Sequence, residues 1–419
     1  MRTSPGSKRK ISVLLVALPL LLLFNYGTIS HAKDIRIGMS AAFTGPTRGL
    51  GIELYRGSLA YFTHVNENGG LFGHKIQVIA YDDGYNPVPT IRNTIRLVEE
   101  DDVLLLFNYV GTPTVTRMLP LLKTYNAQRD LFLFFPFSGA QPQREGPYAQ
   151  YVFNLRASYS QEIAALVDYL ILMGRSRIAV FYQIDAYGRS GWEAVHTSLG
   201  KRGLRVVGEA TYYRGTTYET SMKPQVRKIR SSSPDAIISV GAYAACAAFI
   251  RDSRDAGLNL PIANVSFVDS ENMLQLLLKT GELTGKDYTV NLINSQVVPS
   301  YDKVELPAVA EYRDLIARYD VMPPKELIRQ DYEPHKYSPV SLEGFLNAKL
   351  LVEILKRLGP DFHRNRVKAA VETIKDYDLG IGVPVSFGPG RHQGMSEVFL
   401  TTVEEGRFVP LSKPAPQEW

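Results

Sequence analysis

Apolar positions along this chain switch repeatedly between two spacings. Short apolar runs of strand length alternate with longer segments whose apolar residues recur every three to four positions. The first round reads as a strand at Ile35–Met39, a Gly-rich loop at Ser40–Gly51, and a helix at Leu54–Glu67 with Leu54, Leu59, Phe62 and Val65 on one stripe. Ile76–Tyr81 and Thr90–Glu100 repeat the strand and helix, the second led in by Pro87 and Pro89. The strand Val103–Phe107, the helix Val115–Thr124 and the strand Leu131–Phe135 follow. This succession predicts a doubly wound parallel sheet.

Near Tyr151–Ser160 the rhythm restarts. Helices are predicted at Gln161–Gly174, Trp192–Lys201, Tyr218–Arg230 and Ala242–Asp255, with Pro224 an anomaly inside the third. Strands are predicted between them at Arg177–Tyr182, Leu204–Ala210, Ala236–Val240 and Ile262–Phe267. The result is a second α/β unit of similar size. Leu292–Val298 then reads as a strand, and Val309–Tyr319, Ser341–Leu358 and Arg364–Thr373 as amphipathic helices. Met322–Pro339, with Pro323, Pro324, Pro334 and Pro339, reads as an irregular loop. Pro384–Pro410 alternates in polarity and, with the turn Gly388-Pro389-Gly390, predicts a pair of antiparallel strands.

At 419 residues the chain exceeds one simple core, in keeping with two lobes. Residues 1–32 are a different object. Arg2, Lys8, Arg9 and Lys10 precede the apolar run Ile11–Phe24, and Ser30-His31-Ala32 has the small-x-small form of a cleavage site. The pattern is that of a secretory signal peptide, with an uncleaved signal-anchor as the alternative. Those residues carry four basic and no acidic side chains, so without them the formal charge falls from +5 to +1. The basic balance is therefore largely a targeting feature and gives no case for nucleic acid. Cys246, the single cysteine, excludes an intrachain disulfide and reads as a buried thiol among small residues.

The familiar catalytic signatures are missing: no G-x-G-x-x-G, P-loop, H-E-x-x-H, G-x-S-x-G or close cysteine pair occurs. The seven histidines share no metal-ligand spacing, so no metal or cofactor is implied. Asp82-Asp83 reads as a turn-capping pair, and Lys223–Arg230 as a solvated helical face. What recurs is a chemistry of loops at strand ends. Tyr109–Thr114, Phe137–Gly139, Asp185–Gly188, Gly241–Tyr243 and Ser266–Asp269 offer hydroxyls, small residues and aromatic rings. Backbone amides, hydroxyls and a helix N-terminus suit a carboxylate, and rings suit an apolar ligand body. Taken alone, each of these loops reads equally well as an ordinary βα turn.

The stretches IRIGMSAAFTGP at 35–46, NENGGLFGHKIQVIAYDDGYNP at 66–87, PFSGAQP at 136–142 and FYQIDAYGRSG at 181–191 add a resemblance. So do RDAGLNLPI at 254–262, SLEGFLNAKLL at 341–351 and SFGPGRHQG at 386–394. The chain resembles the periplasmic solute-binding proteins of branched-chain amino acid ABC transporters. The resemblance implies a type I periplasmic-binding fold: two Rossmann-like lobes with parallel sheets and a three-crossover hinge, closing on a solute. It implies lobe 1 from residues 33–156 and 292–380, and lobe 2 from 157–291 and 381–419. Crossovers are expected near Leu155–Ala157, Asn291–Gln296 and Leu379–Pro384.

By position, Thr112, Ser138 and Gly139 would hold a ligand carboxylate, Leu50 would lie beside its side chain, and Tyr187 and Tyr243 would close from the second lobe. Leucine-binding relatives carry an acid for the ammonium group just past the strand that here ends at Phe267, and this chain has Ser266-Phe267-Val268 there. Asp185 and Asp269 are the candidate replacements. Some relatives link the loops at Tyr85 and Tyr109 by a disulfide; here Tyr109 either packs against Tyr85 or is free to face the cleft. The expected function is capture of a small carboxylate-bearing solute in the periplasm by a monomer that delivers it to a membrane permease. A sensory binding module is the alternative, and an enzyme is the third reading.

Overall fold

The computed structural model describes residues 1–6 and 34–411; the expected signal peptide lies, from residue 7 onward, outside the described residues. The first sheet has five parallel strands in the order β2-β1-β3-β4-β5. They are β1 (Ile35–Ala41), β2 (Ile76–Asp82), β3 (Leu105–Phe107), β4 (Leu133–Phe134) and β5 (Val152–Phe153). Helices α1 (Arg48–Glu67), α2 (Pro87–Glu99) and α3 (Thr112–Arg129) connect the first four strands. Both faces of such a sheet are covered, which is why its central strands read as near-continuous apolar runs.

The chain then enters the second lobe through α4 (Tyr159–Leu172), whose start is fixed by a capping box between Ser158 and Gln161. There β6 (Ile178–Gln183), α5 (Ala186–Gly200), β7 (Gly208–Tyr212), α6 (Lys223–Arg230), β8 (Ala236–Val240), α7 (Tyr243–Asp255), β9 (Ile262–Asn264), α8 (Ser270–Thr284) and β10 (Leu292–Gln296) follow. Helices α9 (Pro307–Tyr319), α10 (Pro339–Leu358) and α11 (Arg364–Glu372) return to the first lobe with the short pair β11 (Tyr377–Asp378) and β12 (Pro384–Val385). The hairpin β13 (Phe399–Glu404) and β14 (Arg407–Pro410) completes a seven-stranded sheet ordered β14-β13-β10-β9-β8-β6-β7. Only the hairpin strands run antiparallel in it.

Several expectations shift. Leu292–Gln296, expected to open the return to lobe 1, pairs with β9 and β13, so the chain leaves the second sheet at the end of β10. Leu379–Pro384 lies against α9, where Gly380 accepts a hydrogen bond from Ala308 N at 3.0 Å. The third crossover comes later. Met395 N and Gly394 N donate to Leu155 O and Asn154 O, and Asn154 N donates to His392 O, so two crossovers run side by side as a ribbon. Gly388-Pro389-Gly390 forms only a local bridge between Gly388 and Arg391. The hairpin turns instead at Glu405-Gly406, both with positive φ, which suits the right-handed twist of paired strands. Helix α6 starts at Lys223, which puts Pro224 in its first turn, where its missing N–H costs nothing.

The core of the first lobe depends on a close crossing of α1 and α10. A Cβ on Gly57 would sit 1.7 Å from Ser341 O, and one on Gly344 would sit 2.2 Å from Leu54 O. Ser58 Oγ donates to Leu54 O and Gly344 O at this crossing. Asn108 Nδ2 donates to Ser58 Oγ at 2.8 Å, and Asn347 Nδ2 donates to Asn108 Oδ1 at 2.8 Å, which carries the polar ladder to the end of β3. A separate apolar cluster runs from the C-terminal end of β1 and the first turns of α1 into the second lobe, through Tyr187, Val240 and Phe267.

Candidate functional site

Helix α3 begins directly after β3, and its N-cap Gly111 has φ 104. That conformation is open to glycine, and the ring of Tyr85 lies where a side chain would project, 2.2 Å from an ideal Cβ. Thr112 is the first helical residue, so its hydroxyl stands at the positive end of the helix dipole. Thr112 Oγ1 lies 2.8 Å from Ser138 Oγ and 3.3 Å from the Tyr159 hydroxyl. Gly139 follows Ser138, and its carbonyl accepts a hydrogen bond from Tyr159 N at 2.8 Å. A Cβ at Gly139 would meet the Tyr159 ring at 2.4 Å, so the close approach of that ring requires glycine. The hydroxyls expected to hold a carboxylate are thus gathered in one place.

Rings close over them from both lobes. Phe267, in the turn after β9, has ring centroids 4.5 Å from Tyr187, 5.5 Å from Phe137 and 5.8 Å from Tyr85. Tyr187 in turn lies 5.2 Å from Tyr159. Burial pushes the hydroxyls of Tyr85, Tyr159 and Tyr187 above the usual phenol range, so all three are neutral donors at ordinary pH. Thr112, Ser138, Tyr187 and Phe267 are at most 1% exposed.

The other expected residues fall elsewhere. Leu50 is buried on α1 in the interlobe cluster. Tyr243, the first residue of α7, accepts a hydrogen bond from Gly49 N at 3.5 Å and lines an outer cavity of about 750 Å³ with Arg48, Tyr332 and Lys279. That cavity is roofed by part of the 320–338 loop, which joins both lobes. Tyr332 donates to Glu53 Oε1 on α1 at 3.0 Å and accepts from Asn272 Nδ2 on α8 at 3.1 Å.

Both candidate acids are engaged within the protein. Asp185 caps α5, accepting from Tyr187 N and Gly188 N, and its other oxygen takes Gln183 Nε2 at 2.7 Å and Arg214 Nη1 at 3.6 Å. Asp269 caps α8 through Asn272 and faces α1, its Oδ2 3.0 Å from where a Cβ on Gly49 would stand. Burial, with repulsion from Glu53 and Glu271, pushes it up to about 8. Tyr109 is buried in a different cluster from Tyr85 and meets Thr94 Oγ1 at 3.1 Å, so it does not face the cleft.

Three further residues at this site were not among the expected ligand contacts. Tyr159 opens α4 and completes the hydroxyl group. Tyr85 occupies the cleft wall over Gly111. Arg156, in the first crossover, is 1% exposed, and its guanidinium carbon lies 4.5 Å from the Phe137 centroid.

Comparison with known proteins agrees with this architecture. The family description "periplasmic binding protein" matches residues 34–407. An amino acid binding protein of Pseudomonas aeruginosa is 25% identical over 234 residues, covering 55% of this chain and 60% of that relative's length. A Leu/Ile/Val-binding protein homolog of Brucella abortus is 22% identical over 409 residues, covering 92% of this chain and 93% of its own. A solved structure of a possible leucine/isoleucine/valine-binding protein from Rhodopirellula baltica superposes with a TM-score of 0.80 at 30% identity, covering 94% of this chain and all of that one. The chain belongs to the type I periplasmic binding proteins of the branched-chain amino acid family.

Proposed function

We propose that this chain is an extracytoplasmic solute-binding protein. It closes its lobes on a small carboxylate-bearing solute, an amino acid or related organic acid, and delivers it to the membrane permease of an ABC transporter. One observation carries the reading. The first lobe presents Thr112 and Ser138 at a helix N-terminus, and the second lobe brings Tyr187 and Phe267 against them. Hydroxyls and a helix dipole favour an anion, and rings from the opposite lobe cover an apolar body and exclude water. The hydroxyls of Thr112, Ser138 and Tyr159 bond to one another and to Ala140 N, an arrangement that suits binding without covalent chemistry.

A thermal-shift screen of purified protein against amino acids, aromatic acids and amides tests it. A ligand at a hundred times its Kd adds about 2.7 kcal/mol to the closed protein. Silence across all three classes overturns the reading.

A further inference from the structure

We propose that Arg156 is the charged anchor of the cleft, and that it restricts the solute to carboxylates lacking an α-ammonium group. This rests on the solute-binding reading above and narrows its ligand class.

The charge around the cage is asymmetric. Asp185 is held by two backbone amides, Gln183 and Arg214. Glu162 accepts from Ser266 N at 2.8 Å and from Ser295 Oγ at 2.7 Å, and meets Arg156 Nη2 at 3.5 Å. Asp269 points to α1, away from the rings. Arg156 differs. Its Nη2 donates to Ser266 Oγ, beside Phe267, while its buried Nε and Nη1 have no hydrogen-bond acceptor. Nη1 meets only Glu343 Oε1, at 3.5 Å. Arg144 also sits within this buried group, donating to the Arg156 carbonyl at 3.2 Å.

The guanidinium covers Phe137, the residue before Ser138, which belongs to the hydroxyl group of Thr112, Ser138 and Tyr159. An incoming carboxylate gains a buried cation there, and a charge-assisted hydrogen bond is the strong kind. An ammonium beside that carboxylate would enter next to the same cation. Phe267, packed against Phe137 and Tyr187, offers it only a ring. Glu343 is the rival, because it is the carboxylate nearest Arg156 outside the Ser266 and Ser295 network.

The test uses isothermal titration of the full mature chain with matched probes: 4-methylpentanoate against leucine, and 3-phenylpropanoate against phenylalanine and the neutral 3-phenylpropanamide. In at least one pair the acid is expected to bind on the order of tenfold to a hundredfold tighter than the amino acid, the cost of burying the ammonium without a partner. R156Q is expected to weaken the acid by that factor and the amide by less than about threefold, with circular dichroism confirming the fold, and R156K to recover part of the loss. An equal loss of acid and amide would mean that Arg156 only holds Ser266 and Phe267 in position, and overturns the anchor. Tighter binding of the amino acids, abolished in E343Q, overturns the ligand class while leaving the solute-binding reading intact. Failure of every probe, together with silence in the wider screen, overturns both. If R156Q does not fold, the matched probes on the unaltered protein decide the ligand class alone.

Discussion

Asp269 offers a quantitative check on the electrostatics of the interlobe face. Its carboxyl is fully buried, accepts hydrogen bonds from Asn272, and is pushed up to about 8 by burial and the nearby Glu53 and Glu271. The unfolded chain releases this proton near pH 3.9. Between pH 5 and 7 the native state therefore holds one proton that the unfolded state has lost. Stability is highest on the acid side and falls as pH rises, by about 1.4 kcal/mol per pH unit from this group alone, until the folded group itself ionises near 8. Asp83, Glu271 and Glu343, each pushed up to about 7 by burial, act in the same direction, so the wild-type curve mixes all four. The substitution Asp269→Asn isolates one. Asparagine is as good an N-cap as aspartate and does not titrate. Urea unfolding of both proteins at pH 5, 6 and 7, followed by circular dichroism, should show the variant gaining on the wild type by about 2.7 kcal/mol across the range. A difference that stays constant with pH would mean that Asp269 is ionised in the fold, and would return it as a counter-ion for an ammonium group.

Other substitutions probe the same face. Thr112→Val removes the hydroxyl at the start of α3 and should weaken binding of any carboxylate ligand found in the screen by about 1.5–3 kcal/mol; an unchanged Kd removes Thr112 from the site. Gly49→Ala would put a methyl group 2.4 Å from Asn272 Nδ2, forcing that side chain off its contacts with Asp269 and Tyr332 between α8 and α1. It should reduce affinity by about 1–3 kcal/mol through the closed state, although Gly49 lies outside the ring cage; titration with the same ligand measures this.

The lobes were legible in the sequence because their strands are buried on both faces and their helices carry regular stripes. What was missed has local causes. β5 has two residues, too few for a pattern. α8 follows Asp269, held at φ 63, and its Leu276-Leu277-Leu278 run blurs the helical stripe. The third crossover was expected too early because Leu379–Pro384, rich in glycine, looks like a hinge, whereas the ribbon at 392–395 is defined by pairing with Asn154 and Leu155. Thr112, Ser138, Tyr187 and Phe267 lie together because each follows the carboxyl end of a strand in its sheet. Tyr243 separated from them because α7 directs its first residue toward Gly49. Arg156 gave no sign in one dimension, since its meaning lies in Ser266, more than a hundred positions away.

The glycine crossing of α1 and α10 also bears on how the molecule moves. Where two helices touch backbone to backbone, neither can slide or roll without forcing main chain through main chain. The proposed closure on a solute would then leave this pair intact and fall on the crossovers, among them the ribbon of Asn154–Leu155 with residues 392–395. Amide hydrogens along α1 and α10 should exchange at one rate with and without solute, while those of the ribbon change. Under the proposed function the first lobe is a fixed handle, and a solute would be felt by the strap of chain that turns about it.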